Sequence, residues 1–309
     1  MITSFFKKST PLNYSLLIIS MLFFYFIYHF QIENGLNTLV QLIKKTGYLT
    51  LIAISFIIIN FIVKKNSLTK DSGFSAFFYL IFFLFFPSIF NNSTILIANF
   101  FILLALRRLI SLQTLKFPKE KIFDATFWIF IASVFQFWSI LFVLVVYASI
   151  IFHFSRDYRN WLIPFVSFFF FILIFTLLTL IFDSNMLEWY FKSAIIDVNF
   201  DYFKNNFENL ALSMFTVVLL FFGVPMLLAI ANRPLNIQAS FKKLLFSLFI
   251  SVIIFIISTN KTNDLLLLTF FPLATLATSF IEYNNNKIHK ELVLFGSLIM
   301  SLIAFFSQL

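Results

Sequence analysis

Runs of fifteen or more apolar residues recur along the chain, separated by short polar stretches. FFYLIFFLFF (77–86) and LVLFGSLIMSLIAFF (292–306) are apolar on every face, whereas barrel strands would alternate apolar and polar positions. Helices are therefore predicted, since only a helix satisfies its own backbone amides in hydrocarbon. The pattern divides into eleven spans, at 14–30, 47–63, 74–90, 94–106, 124–136, 138–154, 161–182, 210–231, 244–258, 265–281 and 291–307. The least obvious division is FDATFWIFIASVFQFWSILFVLVVYASIIFHF, residues 123–154, which exceeds the roughly 20 residues of one crossing. Gln136, Phe137 and Trp138 put an amide and an indole in its middle, so a turn at a membrane interface is predicted there.

Charge supports that division. With the N-terminus cytoplasmic, the outer segments hold only Lys44, Lys45, Lys192, Lys204 and Lys261 of the 22 Lys and Arg residues. The same segments hold Glu33, Asp183, Glu188, Asp197, Asp201, Glu208 and Asp264. Were 123–154 a single span, the basic clusters at 156–159, 233–243 and 287–290 would all face outward, against the positive-inside rule. Orientation and anionic-lipid contact account for a net charge of +9, and no nucleic-acid partner is called for.

The chain reads as an all-α polytopic membrane protein: one integral membrane domain over residues 1–309, in a bacterial inner (plasma) membrane. No small-residue cleavage site follows Phe30, which predicts a retained first span. The 51 Phe residues, beside abundant Ile, Asn and Lys, follow AT-rich coding, and their expected role is packing or lipid contact. Zero cysteines exclude disulfides, thiolate metal sites and cysteine nucleophiles. Three unrelated histidines make no metal triad. Spans nearly bare of charge argue against an ion-coupled transporter. Asn60 and Asn99 are expected to hydrogen-bond between helices, and Pro87, Pro164, Pro225 and Pro272 to bend or end them.

Three segments carry the candidate chemistry. In the outer segment 31–46, Leu36, Leu39, Val40 and Ile43 have helical spacing, which predicts an amphipathic surface helix beside Glu33. The outer segment 183–210 carries five carboxylates among aromatic residues; Asp197 and Asp201, four apart, are placed to share a sugar or a divalent cation, the alternative being a solvated cap. The inner loop 107–123 offers Arg107 and Arg108 to lipid phosphate, although the orientation rule alone explains them.

MITSFFKKSTPLNYSL and RRLISLQTLKFPKEKIFDATFWIFIASVFQFWSILF resemble an uncharacterised family of bacterial multi-pass inner-membrane proteins. An acid just beyond the first span, short paired helices ending in a basic inner loop, and NDLLLLTFFPLATLAT (263–278) are more loosely similar to polytopic glycosyltransferases of the GT-C kind, which use polyprenyl-phosphate sugars. That resemblance implies an outward cavity for a polyprenyl-phosphate-linked substrate, with Glu33 as base or metal organiser; QIENG has one acid where those enzymes have a pair. Two function classes follow. One is lipid-linked glycosyl transfer at the outer face, with Glu33, Asp197 and Asp201 in catalytic roles. The other is a non-catalytic subunit or assembly factor contacting other membrane proteins, or a lipid-handling protein.

Overall fold

The structure, a computed structural model, describes residues 2–32, 39–154, 157–182, 185–198, 205–259, 261–284 and 286–309. Its helices are α1 (Ile2–Phe6), α2 (Pro11–Ile32), α3 (Leu39–Lys65), α4 (Phe74–Phe85), α5 (Ser93–Ile110), α6 (Pro118–Phe135), α7 (Val143–Phe154), α8 (Tyr158–Ile181), α9 (Asn185–Lys192), α10 (Asn206–Ala229), α11 (Leu235–Ile257), α12 (Leu267–Tyr283) and α13 (Lys287–Ser307). Single 3₁₀ turns extend several of them, and no strand occurs among the described residues. A helix lies over each expected span, and nine, counted among the described residues, are long and apolar enough to cross a membrane. The two outside that count are α4, with 12 residues, and α6, whose first turns carry Lys119, Glu120, Lys121 and Asp124.

The run at 123–154 breaks where expected. Helix α6 ends at Phe135, Gln136 is extended, a 3₁₀ segment covers Phe137–Phe142, and α7 completes the return. Residues 39–46 depart from the expected surface helix: they are the first turns of α3, which runs unbroken for 27 residues. No proline separates them from the apolar run, and Gly47 is a cost of ~1 kcal/mol that a long helix absorbs.

The core forms around α4. All twelve of its residues are buried, so the segment that looked lipid-facing is enclosed by protein, with α12, α13, α3, α2 and α10 packed against it. Helix α12 is almost wholly buried too. Where they meet, the Phe270 ring lies 5.5–6.3 Å from the centroids of Tyr79, Phe82, Phe83, Phe86 and Phe215, mostly edge-on or tilted. Helix α8 is the opposite case: Phe165, Phe168, Phe169 and Phe170 all point outward, as befits a lipid face. Interhelical hydrogen bonds from Tyr14 to Asn60 (2.9 Å) and from Asn99 to Tyr79 (3.3 Å) bear out the expected roles of both asparagines.

Two chemically unlike ends result. At one, which we call the basic end, Lys70 N and Ser72 Oγ donate to Glu282, Lys64 lies 3.8 Å from Asp71, Arg108 pairs with Asp124 at 2.8 Å, and the buried Arg233 stacks 3.5 Å from the Tyr283 ring. At the other, the α9 end, side-chain amides, hydroxyls and carboxylates tie together the turns α4–α5, α6–α7 and α11–α12.

Phe270→Ala should lower stability by about 3–5 kcal/mol, because it opens a cavity in an aromatic cluster that cannot collapse. Phe169→Ala on the lipid face should stay within about 0.5 kcal/mol of the parent. Thermal unfolding of both variants in detergent micelles, followed by circular dichroism, checks the contrast.

Candidate functional site

The α9 end holds the polar cavity of the fold. Helix α4 spans only ~18 Å, short of a ~30 Å hydrocarbon core, so it must end inside the bundle with its last carbonyls to be satisfied there. Pro87 opens a 3₁₀ turn, Pro87–Asn91, and Asn92 caps α5: its Oδ1 accepts from Ile95 N at 3.4 Å and from Thr94 Oγ1 at 2.8 Å. The Gln308 amide, arriving from the end of α13, donates to Phe85 O at 2.8 Å. Asp264 joins this turn to the start of α12. Its Oδ1 accepts a short hydrogen bond from Ser88 Oγ and its Oδ2 one of 2.8 Å from Asn92 Nδ2. Asp264 was expected in an outer loop; it is buried, on the 3₁₀ turn Asn263–Leu266. The apolar run that follows draws it in.

Beside this clip, the α6–α7 break faces the α11–α12 turn. Gln136 Nε2 donates to Ser258 Oγ at 3.1 Å, and Ser258 in turn donates to Ile254 O. Between them lies a cavity of about 320 Å³ lined by Asn92, Thr94, Gln136, Ser193, Thr259 and Thr262, with Phe135, Phe137 and Trp138 on its walls. Among the described residues, none in the lining is charged. Trp138 Nε1 is buried without a hydrogen-bond partner among the described residues, as is Ser139 Oγ next to it. Helix α9 closes this end: the Tyr190 ring packs on Phe137 and Phe175, and its hydroxyl lies 3.0 Å from Ser133 Oγ. Ser133 spends its own hydrogen on Phe130 O, so Tyr190 is the donor; burial raises the pKa of the phenol, partly opposed by the Ser133 bond, and keeps it protonated for that role. Amides and hydroxyls against aromatic faces offer paired donors and acceptors without charge, which suits a neutral, hydroxyl-rich group.

Of the acids expected to act here, Asp197 reaches this end. Its amide donates to Ile257 O at 3.2 Å, its carbonyl accepts from the buried Lys261 Nζ, and its Oδ1 lies 4.0 Å from the same Nζ. It does not line the cavity. Glu33 and Asp201 lie outside the described residues. Among the described residues no three His, Asp or Glu side chains gather to hold a metal ion.

At the basic end, Arg108 pairs with Asp124 and Arg107 lies 4.6 Å from the centroid of the Phe61 ring. Lys121 donates to Ser111 O and Thr114 Oγ1, both at 2.8 Å, and its pKa is lowered first by burial and then by Arg108, Lys65 and Lys116. Lys243, expected in a loop, is buried on α11: its Nζ meets Leu109 O at 2.6 Å and His153 Nε2 at 3.2 Å. The signal for this was present in the spacing. Ser240, Lys243, Ser247, Ser251 and Ser258 share one helical face, and all five are buried.

A family model described as a family of unknown function (DUF6427) matches residues 7–309, and the chain belongs to that family. No curated protein and no solved structure matches it, and no comparison connects it with a glycosyltransferase.

Asp264→Ala removes the acceptor shared by the exposed Ser88 and the half-buried Asn92, both of which can turn to water, and should cost about 1–3 kcal/mol in all, the worth of hydrogen bonds to a charged group. Asp264→Asn keeps one carbonyl acceptor and should cost less. Unfolding midpoints in detergent rank the three proteins; an unchanged midpoint for Asp264→Ala would remove the clip from the account of the fold.

Proposed function

We propose that the α9-end cavity receives the glycosyl group of a lipid-linked saccharide, in a plasma-membrane protein whose α9 end faces outward. The observation that carries this reading is the chemistry of the lining: uncharged amides and hydroxyls beside the Phe135, Phe137 and Trp138 rings, with an indole N–H that has no acceptor among the described residues. A volume of about 320 Å³ lies in the range of small-ligand sites. A polyprenyl chain would remain in the surrounding lipid.

The catalytic form of this reading is glycosyl transfer. An acceptor hydroxyl loses its proton to a carboxylate as its oxygen bonds to the anomeric carbon, and the bond from that carbon to the lipid phosphate breaks, releasing the phosphate on its lipid. Glu33 is the candidate for the base, and Asp197 or Asp201 for assisting the acceptor or holding a divalent cation against the leaving phosphate; Asp197 is anchored through Lys261. A second reading, non-catalytic lipid handling or a subunit role, is favoured by one feature: no carboxylate lines the cavity among the described residues.

Glu33→Gln and Asp201→Asn should each lower transfer by about 10²-fold or more if the carboxylate is the base, the loss expected for removing general-base catalysis. Accumulated lipid-linked sugar in cells carrying each variant is the measurement. Normal lipid-linked sugar and surface glycan profiles in both would leave the non-catalytic reading. Gln136→Leu and Thr262→Val test the cavity itself: retention of saccharide-lipid by either purified variant at the parental level would overturn its role in binding.

A further inference from the structure

A larger opening lies at the basic end and has a different character. Helix α11 packs against α7 on one side, while α10 packs on α12 and α13, leaving a groove with α11 as its floor. The groove is about 620 Å³ and opens toward the lipid side of the bundle. Ile151 and Phe152 of α7, Leu220 and Leu227 of α10, and Leu245 and Phe249 of α11 give it continuous apolar walls. Gly223 widens it: a Cβ there would meet nothing within 4 Å. Among the described residues, the one charged member of the lining is Lys242, whose ammonium lies 5.9 Å from the centroid of the Phe152 ring.

Charge complementarity identifies the occupant. Neither Lys242 nor the buried Lys243 beside it has a carboxylate at ion-pair distance among the described residues. Behind them stands Lys121, close enough to be felt by Lys243, while His153 accepts from Lys243 through a neutral imidazole. An apolar trough with an unpaired cation at its rim, backed by further positive charge, fits an acyl chain attached to an anionic head. Arg107 and Arg108, the basic pair nearest the inner loop, are occupied by Phe61 and Asp124. We propose that this groove binds one anionic glycerophospholipid of the leaflet at the basic end, its acyl chain between α7 and α10 and its phosphate at Lys242. The site is separate from the α9-end cavity and does not depend on the glycosyl reading.

Native mass spectrometry of the detergent-purified full chain tests this with dioleoyl phosphatidylglycerol and dioleoyl phosphatidylcholine, whose chains are identical. Phosphatidylglycerol should be held roughly fivefold more tightly, the effect of one lysine at the surface of an anionic headgroup. Lys242→Glu should abolish the preference while leaving both lipids bound, and Gly223→Trp, which fills the trough without a backbone clash, should lower retention of both. Equal binding of the two lipids by the parent protein would overturn the proposal, as would a preference that survives Lys242→Glu or tighter retention of undecaprenyl phosphate than of phosphatidylglycerol. A parental unfolding midpoint in both variants separates lost binding from lost folding.

Discussion

The architecture of the α9 end depends on the need to satisfy a helix that stops short. Helix α4 has 12 residues and is enclosed on all sides, so the amides and carbonyls at its end have no water to meet. The chain answers with a 3₁₀ turn, a capping asparagine, the Gln308 amide and, through Ser88 and Asn92, the carboxylate of Asp264. Asp264 fixes Asn92, Asn92 caps α5, and Asn92 and Thr94 then form one wall of the cavity. The cavity is thus a by-product of the same polar accounting that lets α4 end where it does, and its rigidity follows from that of the clip.

At the basic end the same low dielectric acts on charges. Arg108 has a carboxylate and Arg233 has two aromatic faces, but the buried Lys243 meets, among the described residues, a carbonyl and an imidazole and no carboxylate. A buried cation without a counter-charge is costly, and such groups in membrane proteins commonly mark a function. Serines on the same stripe show that α11 presents its polar face inward along its whole length.

The sequence made the helices legible because hydrophobicity is a property of consecutive residues. It also revealed the break at Gln136, where an amide and an indole interrupt an overlong run. Enclosure is not such a property: FFYLIFFLFF reads alike whether lipid or protein surrounds it, and only the packing of α12, α13, α3 and α10 shows that it is core. For the same reason Asp264 and Lys243, each at the margin of an apolar run, looked like loop charges. Each lay one residue outside an expected span, and α11, which begins at Leu235, and the 3₁₀ turn Asn263–Leu266 carry them inside. Of the site, Asp197 was visible as an acid in the right segment; Asn92, Gln136 and Thr262 were not, because neutral amides and hydroxyls gain meaning only when turns far apart in sequence meet.

Geometry also separates the two binding sites. Lys242 and Ser258 are sixteen residues apart on and just beyond α11, which at ~1.5 Å per residue places them ~24 Å apart along its axis. In a lipid-linked sugar, the glycosyl group is bonded directly to the phosphate, so one headgroup cannot place its sugar at Gln136 and Ser258 and its phosphate at Lys242. On the two proposed readings, the two openings would take two separate molecules. Helix α11 reaches both: its polar stripe runs from Lys243 to Ser258, and its opposite face supplies the floor of the groove. A bundle that fixes α11 through the α12 core thereby fixes the geometry of both sites at once.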